Sequence, residues 1–384
     1  MTDKRDRAAN SRALQHAVEL IRRESVTPVD GGCQDYLDWM LSPLGFTRRQ
    51  INAGGVTNSI YFRPGEKPGT LAYAGHTDVV PTGPVEQWPY PPFAAAVEHD
   101  VLHGRGAQDM KGGIACWLAA VEELCAAGAK LPSLQLLITS DEEGESVDGT
   151  IRIVEALSAD NALPDAAIIG EPSSSKQVGD VIRRGRRGVV QIAAAFEGKQ
   201  GHSAYPSDAV NAVHLAAPVL DRIIRVDWGK QMDGFPPTTC QITNVQAGTG
   251  AMNVIPGSCE VSIDIRYNPG IDFEGIQKRI FDACEGSEVV LDIVHQAQAF
   301  STPDGPFLDL VCDSIRRVAG IDAKRDTGGG TSDGRFLAAA GVPVAELGLT
   351  NNTIHQVGER VAVGELATLT DIYIDIIKHF EAHS

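Results

Sequence analysis

The sequence predicts an α/β domain with a mixed, mostly parallel sheet and helices on both faces, interrupted by an inserted ferredoxin-like α+β domain. Three observations predict it. Short apolar runs bounded by turn residues alternate with helical patterns in the first half of the chain. The pattern changes to period-2 strands near residue 188. The strand-helix alternation then resumes near residue 298 and continues to the C-terminal end. A chain of 384 residues has room for two or three domains. The expected boundaries are 1–186 and 298–384 for the first domain and 187–297 for the insert.

Taken in order, Leu14, Val18 and Ile21 recur at helical spacing and predict an amphipathic opening helix. TLAYAG (70–75), LQLLITS (134–140) and AAIIG (166–170) read as buried strands of a largely parallel sheet. GGIACWLAAVEELCAAG (112–128) is long and apolar enough for a buried helix. The insert reads strand 189–198, helix 209–225, strands 238–248 and 259–267, helix 273–284 and strand 288–296. That β-α-β-β-α-β order is the ferredoxin-like arrangement. A helix near 306–319, the strand VPVAELG (342–348) and a closing helix complete the first domain. In the closing helix Leu366, Leu369, Tyr373, Ile376 and Phe380 share one face.

Composition excludes several classes. A formal net charge of −17 argues against nucleic acid or an anionic membrane as a partner. Seven cysteines without a CxxC indicate neither a disulfide framework nor a thiolate metal site, and fit reduced thiols in the cytoplasm. MTDKRDRAANSRALQ carries no apolar stretch of secretory type, and no run is apolar over the ~18 residues of a membrane span.

The chemistry lies where the polar residues fall. Ligands of open α/β sheets bind beyond the carboxyl ends of the strands. TLAYAG ends in His76 and Asp78, LQLLITS in Asp141, Glu142 and Glu143, and AAIIG in Glu171. Asp109 precedes the buried helix in GRGAQDMKGG, and His355 follows the last strand in NNTIHQVGE. A single strand-end carboxylate is ordinarily a solvated loop residue or a helix cap. Convergence of two imidazoles and several carboxylates describes a site for one or two divalent metals, and donors of this kind suit catalytic zinc. Asp109, on its own loop, is the candidate bridge between two ions. Asp78 is expected to accept the second ring N–H of His76 and so orient it. Glu142 and Glu143 cannot point alike, so one binds metal while the other is free to take a proton from water. The remaining residues His16, His99, His103, His214, His295, His379 and His383 are assigned to surface or packing roles.

Two further segments concern an anionic substrate. RRGRR (183–187) forms a local basic patch at the expected domain boundary, and Arg binds carboxylates bidentately. GGGTSDGRF (328–336) is a Gly-rich loop able to offer backbone N–H groups to an anion, without the GK[ST] of a P-loop. His202, in GKQGHSAYP, lies in the insert, away from the metal residues unless a domain closes or a second subunit contributes it.

GHTDVVP, GRGAQDMKGG, SDEEG, GEPSS, GHSAYP and TIH, in this order over almost the whole chain, resemble the zinc-dependent amidohydrolase and exopeptidase family that includes aminoacylases and acetylornithine deacetylase. RRGRRG, GGTSDGRF and NNTIHQVGE are most similar to its desuccinylase branch. The resemblance implies a homodimer of two-domain subunits with two zinc ions each, cobalt being an accepted substitute. It implies that His76 and Glu171 bind one ion and Glu143 and His355 the other. Asp109 bridges them and is followed by a strained peptide. Glu142 is then the general base, supported by Asp78, and His202 reaches the partner's site to stabilise the oxyanion. Arg186, Arg187, Asn253, Arg266, Gly330 and Thr331 are implied contacts to a small anionic N-succinyl amino acid. Gln356 and Gly358 depart from the Lys and the Asn or Asp common in the family, and Met252 from a common Asn. The expected activity is metal-dependent amide hydrolysis. Its rivals are another N-acyl amino acid amidohydrolase of the family and a non-catalytic metal- or anion-binding protein.

Overall fold

The computed structural model describes residues 11–229 and 231–382. The first ten residues and His383 lie outside the described residues. Two compact units form. One takes in the chain through Arg184, then Thr302–Asp326 and everything from Ser332; the other is Gly185–Ser301 with Thr327–Thr331. The expected boundaries at 186/187 and 297/298 did not foresee that the loop Thr327–Thr331 belongs with the second unit.

In the first unit an eight-stranded sheet runs in the order Thr47–Gln50, Ser59–Arg63, Ser133–Thr139, Thr70–His76, Ala166–Ile169, Val344–Glu346, Val181–Arg183 and Lys324–Asp326. Thr70–His76 is parallel to both neighbours, with His76 opposite Thr139 and Ala74 opposite Ile169. These central strands are buried on both faces, as their continuous apolar runs require. The edge strands TRRQ and KRD are charged, which discourages further pairing.

Alternate residues face opposite layers. Leu71, Tyr73, Leu134, Leu136, Ile138 and Ile168 join the main apolar core with the helices Arg12–Ile21, Lys111–Ala126, Pro306–Ala319 and Val363–His379. Tyr73 stacks on Trp117 and meets Tyr373 edge-on, at ring separations of 4.9 and 5.8 Å. The helix Lys111–Ala126 sits against the strand ends because Gly113 lets it in: a Cβ there would stand 2.8 Å from the Gly170 carbonyl oxygen. On the other layer, the helix Thr150–Ala159 packs against Ser133–Thr139 and the short helix Gly334–Ala339.

The second unit follows the expected order: strand Gly188–Glu197, helix Ala212–Ile224, strands Thr239–Ala247 and Ser258–Tyr267, helix Phe273–Cys284 and strand Val290–Ala297. Its antiparallel sheet runs Thr239–Ala247, Ser258–Tyr267, Gly188–Glu197, Val290–Ala297. Period-2 residues Val190, Ile192, Ala194 and Phe196 form a separate core with Val219, Ile223, Ile276 and Ile280 from the two helices. All seven cysteines are unpaired. Among the described residues no helix is long and apolar enough to cross a membrane.

Candidate metal centre

Three adjacent strands of the first unit end at one edge, and their C-terminal residues build the site. His76 closes its strand and is fully buried. Its Nδ1 donates to the backbone carbonyl of Asp78 at 2.9 Å, which leaves Nε2 facing the carboxylates. The Asp78 carboxylate was expected to take that role. It stands 3.5 Å from Nδ1 and instead accepts the backbone N–H groups of Glu142 and Glu143, at 3.3 and 3.1 Å. Asp78 therefore orients the loop that carries the two glutamates, while its carbonyl orients the histidine. Asp141 does not cap the following helix: its Oδ2 closes the same loop by accepting Val147 N–H and Asp148 N–H.

Asp109 lies between the two imidazoles. Its Oδ1 is 3.3 Å from His76 Nε2, and its Oδ2 is 3.3 Å from His355 Nε2. The peptide after Asp109 is cis. His355 Nε2 also lies 3.0 Å from Glu143 Oε1. Glu171 Oε1 and Glu142 Oε2 lie 3.6 and 4.0 Å from His76 Nε2.

The electrostatics follow from crowding and burial. Desolvation pushes Glu142 and Glu171 well above the usual carboxylate range, and neighbouring carboxylates add to it. For Asp109 burial acts in the same sense but is outweighed by His355 and His76, which hold it below its ordinary value. Hydrogen bonds to Asp109 and Glu143 push His355 up to about 10. Burial alone would lower His76, yet Asp109 and Asp78 raise it well above its ordinary value. A field that favours cationic imidazoles this strongly also favours a divalent cation.

The residues fit such an ion. His76 Nε2 and Asp109 Oδ1 are buried without a hydrogen-bond partner, and orphaned buried polar atoms call for one. Ligand atoms of His76, Glu142 and Glu171 lie within 4.8 Å of one another, as do those of His76, Asp109 and Glu143. Imidazole and carboxylate donors without thiolate suit a divalent metal ion. Sequence reasoning missed Asp333, a buried carboxylate that accepts from Thr150 Oγ1 at 2.7 Å and adds to the acidic field at Glu142.

The residues expected to contact substrate, Arg186, Arg187, Asn253, Arg266, Gly330 and Thr331, all belong to the second unit, as does His202. RRGRR is not one patch. Arg183 pairs with Asp326, and Arg184 with Asp304 at 2.8 Å, so both are spent on carboxylates of the first unit. Arg186 donates to the Gly328 carbonyl at 2.9 Å. Arg187 has a buried Nε without a hydrogen-bond partner, and burial and Arg266 lower its pKa. Arg266 pairs with Asp264 at 2.8 Å. His202 pairs with Val254 across a short two-stranded ribbon, and the adjacent Asn253 carbonyl accepts Ser203 N–H.

Residues 72–379 match the family described as Peptidase family M20/M25/M40, and the chain belongs to that family. Among curated proteins it is similar to the succinyl-diaminopimelate desuccinylase of Halorhodospira halophila, with 45% identity over 97% of this chain and 99% of that protein. The enzyme of the same name from Marinobacter nauticus is 45% identical, covering 96% of this chain and 98% of its own. Among solved structures the aminopeptidase PepT of Bacillus cereus shares the fold, with a TM-score of 0.79 at 20% identity over 96% of this chain and 97% of that one.

Proposed function

We propose that this chain hydrolyses N-succinyl-LL-2,6-diaminopimelate to succinate and LL-2,6-diaminopimelate, a step of bacterial lysine and cell-wall precursor synthesis. The observation that carries the substrate is the 45% identity, over nearly the full length of both chains, to curated relatives named for that reaction. The buried cluster around His76 supports the chemistry.

His76, Glu171 and the bridging Asp109 would hold one ion, and Asp109, Glu143 and His355 the other. Zinc suits these donors, and cobalt would substitute. Bound there, the ions supply Lewis acidity at the amide carbonyl and make water acidic enough to attack near neutral pH. Glu142 takes the proton of the attacking water as the O–C bond forms, and delivers it to the nitrogen as the C–N bond breaks. Its burial, in the field of Asp333, Glu143 and Asp109, raises its proton affinity and suits it to both transfers.

His202 has the tautomer an oxyanion requires. Its Nδ1 accepts the Ala204 N–H at 3.0 Å, so Nε2 carries the proton and donates. We assign it to the site of the other copy in a homodimer. The substrate carries three carboxylates and one ammonium, and Arg186, Arg187 and Arg266 with Asn253, Gly330 and Thr331 are assigned to its acidic groups. A cytoplasmic setting agrees with seven unpaired cysteines.

Incubation of the zinc-loaded chain with the succinyl substrate tests the reading. Release of succinate together with a new primary amine, abolished by a chelator, is expected. Turnover of N-acetylornithine instead would keep the amide chemistry and overturn the substrate.

A further inference from the structure

We infer that Glu359 is a positioning residue for the metal centre: with Gln108 it fixes the loop of Asp109 and joins it to the loop of His355. The inference rests on the two-ion reading above.

Glu359 is fully buried, and both of its carboxylate oxygens are engaged by the segment that leads to Asp109. Oε1 accepts the backbone N–H groups of Gln108 at 2.9 Å and of Asp109 at 3.1 Å. Oε2 accepts the Gly106 N–H at 3.0 Å and Arg105 Nη1 at 2.9 Å. A charge removed from water needs such a set of donors, and charge-assisted bonds to fixed N–H groups leave the loop little freedom. Arg105 is held in turn: it donates to the carbonyls of Gln356 and Pro81, and its guanidinium lies 5.1 Å from the centre of the Trp88 ring.

Gln108 makes the second connection. Its Nε2 donates to Thr350 Oγ1 and to Asn352 Oδ1, both at 2.9 Å. Its Oε1 accepts the Thr353 N–H at 2.9 Å and the Thr353 hydroxyl at 2.5 Å. The residue before the bridging carboxylate is therefore bound to the segment that ends in His355. Glu359 grips the same loop from the far side of that histidine. Asp109 and His355 come from distant parts of the chain, and this clamp sets the distance between them. The ion assigned to Asp109, Glu143 and His355 takes two of its ligands from the clamped segments, whereas the ion assigned to His76 and Glu171 takes only the shared Asp109 from them.

The test uses the full-length chain, stripped by a chelator and reconstituted with Co²⁺, followed by calorimetry and by the visible absorption of each bound equivalent. Glu359→Gln keeps the volume but turns an N–H donor toward backbone N–H groups. One of the two equivalents is expected to weaken ~10- to 100-fold with an altered cobalt spectrum, while the other, which shares only Asp109 with the clamped segments, weakens clearly less. The weakened equivalent should be the one that His355→Ala removes. Gln108→Ala, a milder change, should weaken the same equivalent by about tenfold, and it decides the matter if Glu359→Gln does not fold. Equal weakening of both ions, with a lowered melting temperature, would make Glu359 a folding residue only and overturn the inference. Two ions bound by the variants as tightly as by the wild type would overturn it too. A wild-type chain that takes up fewer than two ions would instead sink the two-ion reading.

Discussion

His355 Nε2 stands 3.0 Å from Glu143 Oε1, although 212 residues separate them in the chain. Glu143 sits in the loop after Ser133–Thr139, its backbone N–H held by the Asp78 carboxylate, whereas His355 sits in a loop with a positive φ of 59°. The pair closes the half of the centre opposite His76. His355→Ala is expected to remove one of two bound ions per chain and to lower kcat/KM by about 100-fold or more. Metal analysis of the purified variant, beside its kinetics, checks both.

Glu142 and Glu143 are neighbours with different duties in this account. Glu142→Gln should lower kcat by about 10²- to 10⁴-fold and leave both ions bound, because the change removes a base and keeps the shape. Loss of an ion from that variant would make Glu142 a ligand.

Lys111 begins the central buried helix and is itself fully buried, and among the described residues its hydrogen-bond partners are backbone carbonyls. Its ammonium donates to the carbonyls of Leu20 and Arg23 at 2.9 and 2.7 Å, tying the end of the opening helix to the layer below. Lys111→Met strands both acceptors and should cost about 1–3 kcal/mol in urea denaturation.

Glu122 provides a pH test away from the metal centre. It accepts from His16 Nε2 at 2.8 Å and from Arg12 Nη2 at 2.7 Å, while His16 Nδ1 meets the Tyr36 hydroxyl at 2.6 Å. Burial raises its pKa, but His16 and Arg12 outweigh that and bring it down to about 2. A carboxyl whose folded pKa is depressed stabilises the fold fully above its unfolded value near 4.5, and loses that contribution as pH falls toward 2. Wild type should therefore exceed Glu122→Gln in stability at pH 7, and the gap should narrow below pH 4.5. Denaturation midpoints of the pair across pH 3 to 7 give the answer; a gap that widens in acid would contradict the assignment.

Much of this was legible before the structure because two periodicities carry it. Residues at the carboxyl ends of parallel strands must share one edge, so His76, Glu142, Glu143 and Glu171 could be grouped from strand patterns alone. The insert announced itself through the alternation of Val190, Ile192 and Ala194. Other features have no period. Nothing local says that Thr327–Thr331 belongs to the second unit, or that Arg183 and Arg184 are neutralised by Asp326 and Asp304 far along the chain. Whether His76 is oriented by the Asp78 carboxylate or by its carbonyl depends on the backbone of Glu142 and Glu143, which claims the carboxylate. Glu359 is one acid in a polar loop, and only the fold shows four donors aimed at it.

The most direct test of the account is the ratio of kcat/KM for N-succinyl-LL-diaminopimelate to that for N-acetyl-LL-diaminopimelate, measured on the zinc-loaded chain. The two substrates share the scissile amide and differ only in the carboxymethyl group that the arginines are assigned to hold. A site built to bond that carboxylate should reject the acetyl compound by about 10³-fold or more. A ratio near one would mean that the succinyl group is not what this centre recognises.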